Sequence, residues 1–169
     1  MKKGILILIV IGLIIFIIGY LNNQTFNDPA SMEAKISKEL DIELVSIFDL
    51  QDIDEYRFVG YTYDNHHGFA AFKQNNNGDY IFSYVKKPHK MIPAAENIAY
   101  DHHVLYWIVV NNNKNLKTVE LKIKYQPDSK EEIITREVTE YPSISVVKLP
   151  TRDFEAEYNF YDKKGNLIE

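Results

Sequence analysis

The chain has 169 residues, a formal net charge of −5 and no cysteine. Without cysteine it forms no disulfides and no thiolate metal sites, and it has no cysteine nucleophile. Residues 22–169 contain 17 of the 19 basic residues and all 24 acidic ones, so this part carries a formal charge of −7. Such a charge argues against broad nucleic-acid binding, which needs clustered lysine and arginine.

The chain begins with an uncharged apolar run of eighteen residues, 4–21, directly preceded by Lys2 and Lys3. As a helix this run is about 27 Å long, close to the roughly 30 Å hydrocarbon core of a bilayer. The two lysines favour a cytoplasmic N-terminus. We therefore expect residues 1–21 to be a cytoplasmic tip and an uncleaved transmembrane anchor. The chain would be a single-pass protein of the cell membrane, with its C-terminal domain outside the cytoplasm.

Two other interpretations of the apolar run fit its sequence less well. A cleaved signal peptide has an apolar core of about 7–15 residues that ends in small residues. This run is longer and continues into Tyr20-Leu21-Asn22-Asn23-Gln24. A buried helix of a soluble domain normally keeps a polar face, which this run lacks.

Beyond the anchor we predict a tether over 22–28, a subdomain over 29–92 and a second subdomain over 96–169. The first subdomain is expected to combine one short amphipathic helix with four antiparallel strands, and the second to be a β-sandwich. The chain as a whole is expected to be mainly β, of the α+β class. Pro88 and Pro93 indicate a break between the subdomains, because proline cannot donate to a strand ladder.

The helix is predicted to start at Asp28 and Pro29, because aspartate is a favoured N-cap and proline fits the first helical turn. It is expected to run to about Leu40. Met32, Ile36 and Leu40 are spaced four residues apart and would form its buried face.

Strands follow the helix, because β-branched and aromatic residues are concentrated there. Four strands are predicted in this half, near 42–50, 55–63, 68–74 and 79–86. The sequence Asn75-Asn76-Asn77-Gly78-Asp79 predicts a hairpin between the last two, since Asn and Gly tolerate positive φ. The acidic stretch from Asp49 to Glu55 lacks the glycine and distal glutamate of a calcium loop, and we interpret it as a solvated loop.

The second half is predicted to contain about five strands, near 104–110, 116–125, 132–138, 143–149 and 154–160. The first of them is apolar on both faces, which indicates a central strand. The second and the last alternate apolar with polar residues. In the last strand the apolar positions are Phe154, Ala156, Tyr158 and Phe160. Strands with one wet face predict two packed sheets, and we expect an immunoglobulin-like sandwich.

This plan joins a minimal lysine start, one membrane helix and a tyrosine-rich β domain that ends in Tyr-Asp-Lys-Lys-Gly-Asn. In layout the whole chain resembles small single-pass membrane-anchored envelope proteins of Gram-positive bacteria. Such proteins mostly lack an assigned activity. The resemblance therefore implies a location in the cell envelope and no particular chemistry.

Four of the five histidines form two doublets, each close to an aspartate. Imidazole and carboxylate groups bind zinc and related ions. If the doublets meet in the fold, the candidate ligands are Asp64, His66, His67, Asp101, His102 and His103. Neighbouring strand residues point to opposite faces, so at most one histidine of each doublet would face a shared site. The spacings match no common zinc motif, and the alternative is a pair of solvated turns.

Aromatic residues are the main candidates for a binding surface. Tyr61 and Tyr63 share one face of their predicted strand, while Tyr56 and Phe58 share the other. We expect one of these faces to be exposed, and rigid aromatic surface is typical of protein and glycan binding sites. The alternative is a strand in which tyrosine rings pack and their hydroxyl groups reach water.

The only basic cluster of the acidic domain contains Lys86, Lys87 and Lys90. Its functional interpretation is contact with an anionic envelope polymer or lipid headgroup, and the alternative is an ordinary solvated strand end. The sequence contains neither G-x-S-x-G nor S-x-x-K and has no phosphate-binding glycine loop. We therefore predict a binding protein without catalysis or cofactor, whose partners are the bilayer and an envelope protein or cell-wall component. A metal-dependent hydrolase using the histidine doublets is the alternative.

Overall fold

The computed structural model describes residues 9–13, 24–89, 94–101, 104–111, 113–126, 130–149 and 154–168. Of the predicted membrane anchor it therefore includes only residues 9–13, which are helical. Among the described residues, no helix has both the length and the apolar character that crossing a bilayer requires. The anchor stays a prediction from the sequence.

Helix α1 spans Pro29–Leu40, as its sequence predicts. The backbone N–H of Ser31 donates to the Asp28 carboxylate at 3.0 Å, which is the expected N-cap. Met32 and Ile36 are fully buried against the first sheet. The start of this domain is also fixed at Phe26, whose N–H donates to the carbonyl oxygen of Tyr80 at 2.8 Å.

Ten strands follow the helix in the described part of the chain. They are β1 (Ser46–Ile53), β2 (Tyr56–Tyr63), β3 (His66–Gln74), β4 (Tyr80–His89), β5 (Ala94–Asp101), β6 (Val104–Asn111), β7 (Leu116–Tyr125), β8 (Glu131–Glu137), β9 (Ser143–Leu149) and β10 (Phe154–Asp162). The protein is thus mainly β, and all the strand pairs are antiparallel. The Asn75–Asp79 hairpin is confirmed, with Gly78 at a φ of +88°.

The strands form three sheets, which we call A, B and C. Sheet A has the strand order β1-β2-β3-β4, sheet B the order β5-β6-β9, and sheet C the order β10-β7-β8. Helix α1 packs on one face of sheet A, and sheet B packs on the other face. The far side of sheet B packs against sheet C. The order of layers is therefore α1, A, B, C, and sheet B lies between sheets A and C.

The predicted central strand is confirmed in β6, which lies between β5 and β9. Its Ile108 faces sheet A and is fully buried, while Trp107 and Val109 face sheet C and are at most 3% exposed. The apolar positions of β7 are buried as its alternation predicts. Because the two faces of β6 belong to two cores, both halves of the chain share hydrophobic contacts through this strand.

Strand β5 is a difference from the sequence prediction, which placed a break before residue 96 and counted about five strands after it. The structure has a strand from Ala94 to Asp101, and the described residues of this half form six strands. Residues 90–93, which contain Pro93, lie outside the described residues. Ala residues at 94, 95 and 99 weaken the β signal of this segment, so its pairing with β6 decides its conformation. The division into two subdomains stays a prediction.

Candidate binding surfaces

The aromatic residues of β2 are buried on both faces. Tyr61 is 0% exposed beneath α1, and its hydroxyl donates to the carbonyl oxygen of Lys86. On the opposite face, Tyr56 and Phe58 lie in the core between sheets A and B. The predicted exposure is wrong for Tyr56, Phe58 and Tyr61, because β2 is a central strand of a sheet that is covered on both sides. Burial also raises the pKa of Tyr61.

Tyr63 lies further along the same face of β2 and is half-buried at the edge of the α1 core. It is therefore the one member of the predicted tyrosine pair that keeps some solvent contact. Gly68 lies beside Tyr61, and a Cβ atom there would come within 2.6 Å of both Oη and Cζ of the tyrosine. The close approach shows that Tyr61 is a packing residue of sheet A.

The first histidine doublet lies at the β2–β3 turn. Asp64 and Asn65 have φ values of 47° and 61°, which is the left-handed pair that a two-residue hairpin requires. The ring of His66 makes a 2.8 Å hydrogen bond through Nδ1 with the Asp64 carbonyl oxygen. The His67 ring lies 5.7 Å from the Phe48 ring, and its partial burial lowers the pKa of this histidine. These contacts help to position both rings at the start of β3.

The second half of the predicted metal site is only partly described. Asp101 ends β5, nothing is described of its side chain, and His102 and His103 lie outside the described residues. Strand β6 starts at Val104, directly after this doublet. The start of β6 lies near the β1–β2 turn, where the Tyr106 hydroxyl donates to Asp54 Oδ2 at 3.1 Å. The β2–β3 turn is at the other end of β2, about 23 Å away along an extended strand of this length.

Within the described ranges, no three or more His, Asp or Glu side chains are grouped as a metal ion would require. The start of β3 and the start of β6, which adjoin the two doublets, also lie at opposite ends of the packed sheets A and B. Both observations concern the described residues, and neither favours the predicted metal site. The metal site stays a prediction.

Lys86 and Lys87 are exposed on β4, at the edge of sheet A, and Lys90 lies outside the described residues. Lysine on an edge strand hinders the pairing of that edge with other strands. The Lys86 backbone also supports the fold by accepting the Tyr61 hydroxyl. Their role in contacting an anionic partner stays a prediction.

The acidic stretch that the sequence indicated as a loop forms most of β1 and connects sheets A and B. The Gln51 side chain donates to the Ile144 carbonyl oxygen at 2.8 Å and accepts from the Val146 N–H at 3.0 Å. Asp49 Oδ2 accepts from the Ile144 N–H at 2.9 Å. These two side chains pair with the outer edge of β9 as a neighbouring strand would. The interpretation as a solvated loop is wrong for these residues.

At the end of this seam, Lys148 of β9 donates to Asp54 Oδ2 at 2.6 Å, beside the Tyr106 hydroxyl. The lysine hydrogen bond lowers the pKa of Asp54, and burial raises the pKa of Tyr106. The β1 and β9 edges are therefore closed by side-chain contacts with each other.

The edge of β10 differs from these closed edges. Strand β10 pairs with β7 on one side, and no described strand pairs with residues 154–159 on the other. Further along, the Ile168 N–H donates to the Phe160 carbonyl oxygen at 2.7 Å, and Tyr161 forms a bridge with Leu167. These contacts form an isolated β-bridge beside the end of β10, over Leu167 and Ile168.

The exposure of β10 corrects the prediction that its four apolar positions are covered. Phe160 is 7% exposed, but Tyr158 is 43% exposed and Ala156 is also exposed. Both face the same side as Leu121 and Ile123 of β7, which are 1% exposed. The alternation gave the correct face, but a strand at the edge of a sheet has a neighbour on one side only.

The outer face of sheet C is charged. Glu155 of β10 is paired with Lys124 of β7, and Glu157 is paired with Lys122. Opposite charges across strands stabilise a solvated face modestly.

Comparisons of the chain with known protein families, curated proteins and solved structures found no match.

Proposed function

We propose that this protein is a single-pass membrane protein with a cytoplasmic N-terminus, whose extracytoplasmic β domain binds an envelope protein or cell-wall component. Catalysis is not part of this function. The location is supported by the uncharged run 4–21 after Lys2 and Lys3. The binding role is carried by one observation, the open edge of β10, since an unpaired strand edge is a template for another polypeptide.

We further propose that β5–β10 are six strands of an immunoglobulin-like sandwich. In such a sandwich the strands A, B and E share one sheet, and F, C and C′ share the other. The orders β5-β6-β9 and β10-β7-β8 correspond to these two sets in chain order. The seventh strand would lie beside β10, where Leu167 and Ile168 already make the first contacts.

The alternative, a metal-dependent hydrolase using both histidine doublets, has less support. It requires the start of β3, which carries the first doublet, to meet the start of β6, which follows the second. These two strand starts lie at opposite ends of the packed sheets A and B. The loss of a hydrolytic activity on changing His67 to Ala, with the fold retained, would favour this alternative.

The orientation can be tested with single cysteines, because the natural chain has none. Lys163 is exposed in the turn after β10, and Lys3 lies on the predicted cytoplasmic side. We expect a membrane-impermeant maleimide to label Lys163→Cys in intact cells and Lys3→Cys only after lysis. Labelling of both variants only after lysis would contradict the proposed orientation.

The binding role can be tested by photo-crosslinking in the native membrane. A photoreactive residue at Glu157 lies on the open edge, and one at Glu39 lies on the exposed surface of α1 as a matched control. We expect repeated capture of one envelope component from position 157 and not from position 39. Equal capture from both positions, or no capture from position 157, would contradict binding at this edge.

A further inference from the structure

We propose that the edge of β10 over residues 154–159 accepts an extended segment of another polypeptide, in which apolar and basic residues alternate. The inference rests on the proposed binding function and specifies the chemistry of the partner. Three features of the edge carry it: the direction of its backbone groups, its uncovered apolar side chains and its charge.

The backbone direction follows from the contacts at the end of β10. The Phe160 carbonyl oxygen accepts a hydrogen bond from Ile168, on the side away from β7. In an antiparallel strand, the N–H and C=O of one residue point to the same side, and alternate residues point to opposite sides. The register of β10 with β7 is regular from Phe154 to Tyr161. Phe154, Ala156 and Tyr158 therefore direct their backbone groups to the open edge.

The apolar side chains of the edge indicate what covers them. Ala156 and Tyr158 project to the core side of sheet C but are exposed, whereas Leu121 and Ile123 beside them are 1% exposed. A strand added next to β10 would place its own inward residues beside Ala156 and Tyr158. Apolar residues at those positions would extend the existing core and remove apolar surface from water.

The charge of the edge specifies the outward residues of the segment. Glu155 and Glu157 are exposed on the outer face, and β7 places Lys124 and Lys122 opposite them. The chain thus pairs β10 with the alternating sequence Leu-Lys-Ile-Lys-Tyr of residues 121–125. A segment with the same alternation would supply basic residues to the second side of the two glutamates, where opposite charges are favoured.

The same charges disfavour a second copy of this chain as the occupant. Antiparallel pairing of β10 with itself, centred on Ala156, would place Glu155 opposite Glu157 of the other copy, and like charges opposite each other are destabilising. The other edge of sheet C is also acidic, because β8 begins with Glu131 and Glu132. The occupant is therefore a different polypeptide, and its binding should weaken as salt is added.

The test uses the full chain in detergent micelles and a synthetic peptide, acetyl-Thr-Lys-Val-Lys-Val-Lys-Thr-amide. A second peptide with glutamate in place of each lysine is the control. Amide exchange is followed by NMR at Ala156 and Tyr158, whose N–H groups face the open edge, and at Glu155 and Glu157, whose N–H groups face β7. At a peptide concentration ten times Kd, we expect exchange at Ala156 and Tyr158 to slow about tenfold. Exchange at Glu155 and Glu157 should change less.

Two variants distinguish strand addition from general charge attraction. Ala156→Pro removes one N–H from the open edge and leaves the hydrogen bonds to β7 in place, as proline allows at an edge. We expect this variant to lose the protection by the lysine peptide. Glu155→Lys with Glu157→Lys should reverse the preference and bind the glutamate peptide instead, so the test does not depend on the proline variant folding.

The proposal would be overturned if the lysine peptide slowed amide exchange equally at Glu155 and Tyr158. It would also be overturned if the lysine and glutamate peptides slowed exchange equally. Concentration-dependent self-association through β10 would also overturn it, because the occupant would then be a second copy. If the peptide gives no protection but Glu157 still crosslinks an envelope component, the strand-addition proposal fails and the binding function stands. If both experiments fail, the binding function fails as well.

Discussion

Sheets A and C are both antiparallel, but their surroundings differ. Sheet A lies between α1 and sheet B, so aromatic residues on both faces of β2 are buried. Sheet C has a core on one face and alternating charges on the other, and its edge strand β10 exposes Tyr158. The comparison shows that tyrosine content alone does not indicate a binding surface in this chain. The position of a strand in the layers decides whether its aromatic residues are available.

The largest effect should come from the core between sheets A and B. Phe58 is 0% exposed and its ring lies 5.0 Å from that of Tyr106. We expect Phe58→Ala to lower the free energy of unfolding by about 3–5 kcal/mol, because it removes a buried ring and leaves a cavity. Urea denaturation followed by far-UV circular dichroism would measure this loss.

The same variant tests whether sheets A and C unfold together. Trp107 is the only tryptophan and lies in the core between sheets B and C. If the layers form one cooperative unit, Phe58→Ala shifts the Trp107 fluorescence transition and the circular dichroism transition equally. A Trp107 midpoint that does not move would show that sheet A unfolds separately, as two independent subdomains would.

A smaller effect is expected at the seam between β1 and β9. Gln51→Ala removes a donor and an acceptor and leaves two partly buried backbone groups of β9 without their partners. We expect the free energy of unfolding to fall by about 1–3 kcal/mol. Gln51→Glu is the matched control, because it keeps the acceptor for Val146 but loses the donor to Ile144. Its free energy of unfolding should lie between those of the Ala variant and the natural protein. An Ala variant as stable as the natural protein would show that the seam contributes nothing.

The ion pair on sheet A gives a pH-dependent prediction. Two hydrogen bonds of 2.7 Å join Arg57 to Asp52 and hold the pKa of Asp52 below its ordinary value of 3.8. A carboxyl group whose pKa is lower in the folded state contributes its full stabilisation at pH values above its unfolded-state pKa. This stabilisation is lost as the pH falls through its folded-state pKa. Because Asp52 is about half exposed and solvent screens the pair, Asp52→Asn should cost at most about 1 kcal/mol at pH 7. The cost should vanish at strongly acidic pH, and a cost that is independent of pH would contradict the assignment.

The smallest effect is expected on the outer face of sheet C. Ile133 is 59% exposed and lies opposite Lys122, on the charged side of the sheet. We expect Ile133→Thr to change the free energy of unfolding by less than about 0.5 kcal/mol. A clear loss of stability would mean that this face is covered, and it would remove the contrast between sheets A and C. Leu121→Ala, on the buried side, is the matched comparison and should cost about 2–5 kcal/mol.

Local signals in the sequence predicted much of the secondary structure. Asp28 and Pro29 marked the start of α1, and the Asn-Gly turn at 75–79 marked a hairpin, because these residues act through their own backbone conformation. The alternation of β7 predicted its buried face correctly. Each of these features depends on residues within a few positions of one another.

The surfaces were harder to predict, because exposure depends on the distant elements that cover a strand. The alternation of β2 shows which residues share a face, but not that α1 and sheet B cover both faces of Tyr61 and Phe58. Gln51 and Asp49 have the composition of a loop, and their role appears only when β9 lies beside them. The exposed Ala156 follows from the order of strands in sheet C, which no local pattern contains.

The hydrogen bond between Phe26 and Tyr80 limits how far the domain can lie from the proposed anchor. If the proposed anchor ends at Leu21, five residue steps reach Phe26, a span of at most about 18 Å. Sheet C is two sheet spacings beyond sheet A, about 20 Å in total. For a domain anchored in this way, the edge proposed to accept a strand would stay within a layer a few nanometres thick over the lipid surface. A membrane protein or an innermost wall component would then be the proposed source of the extended segment.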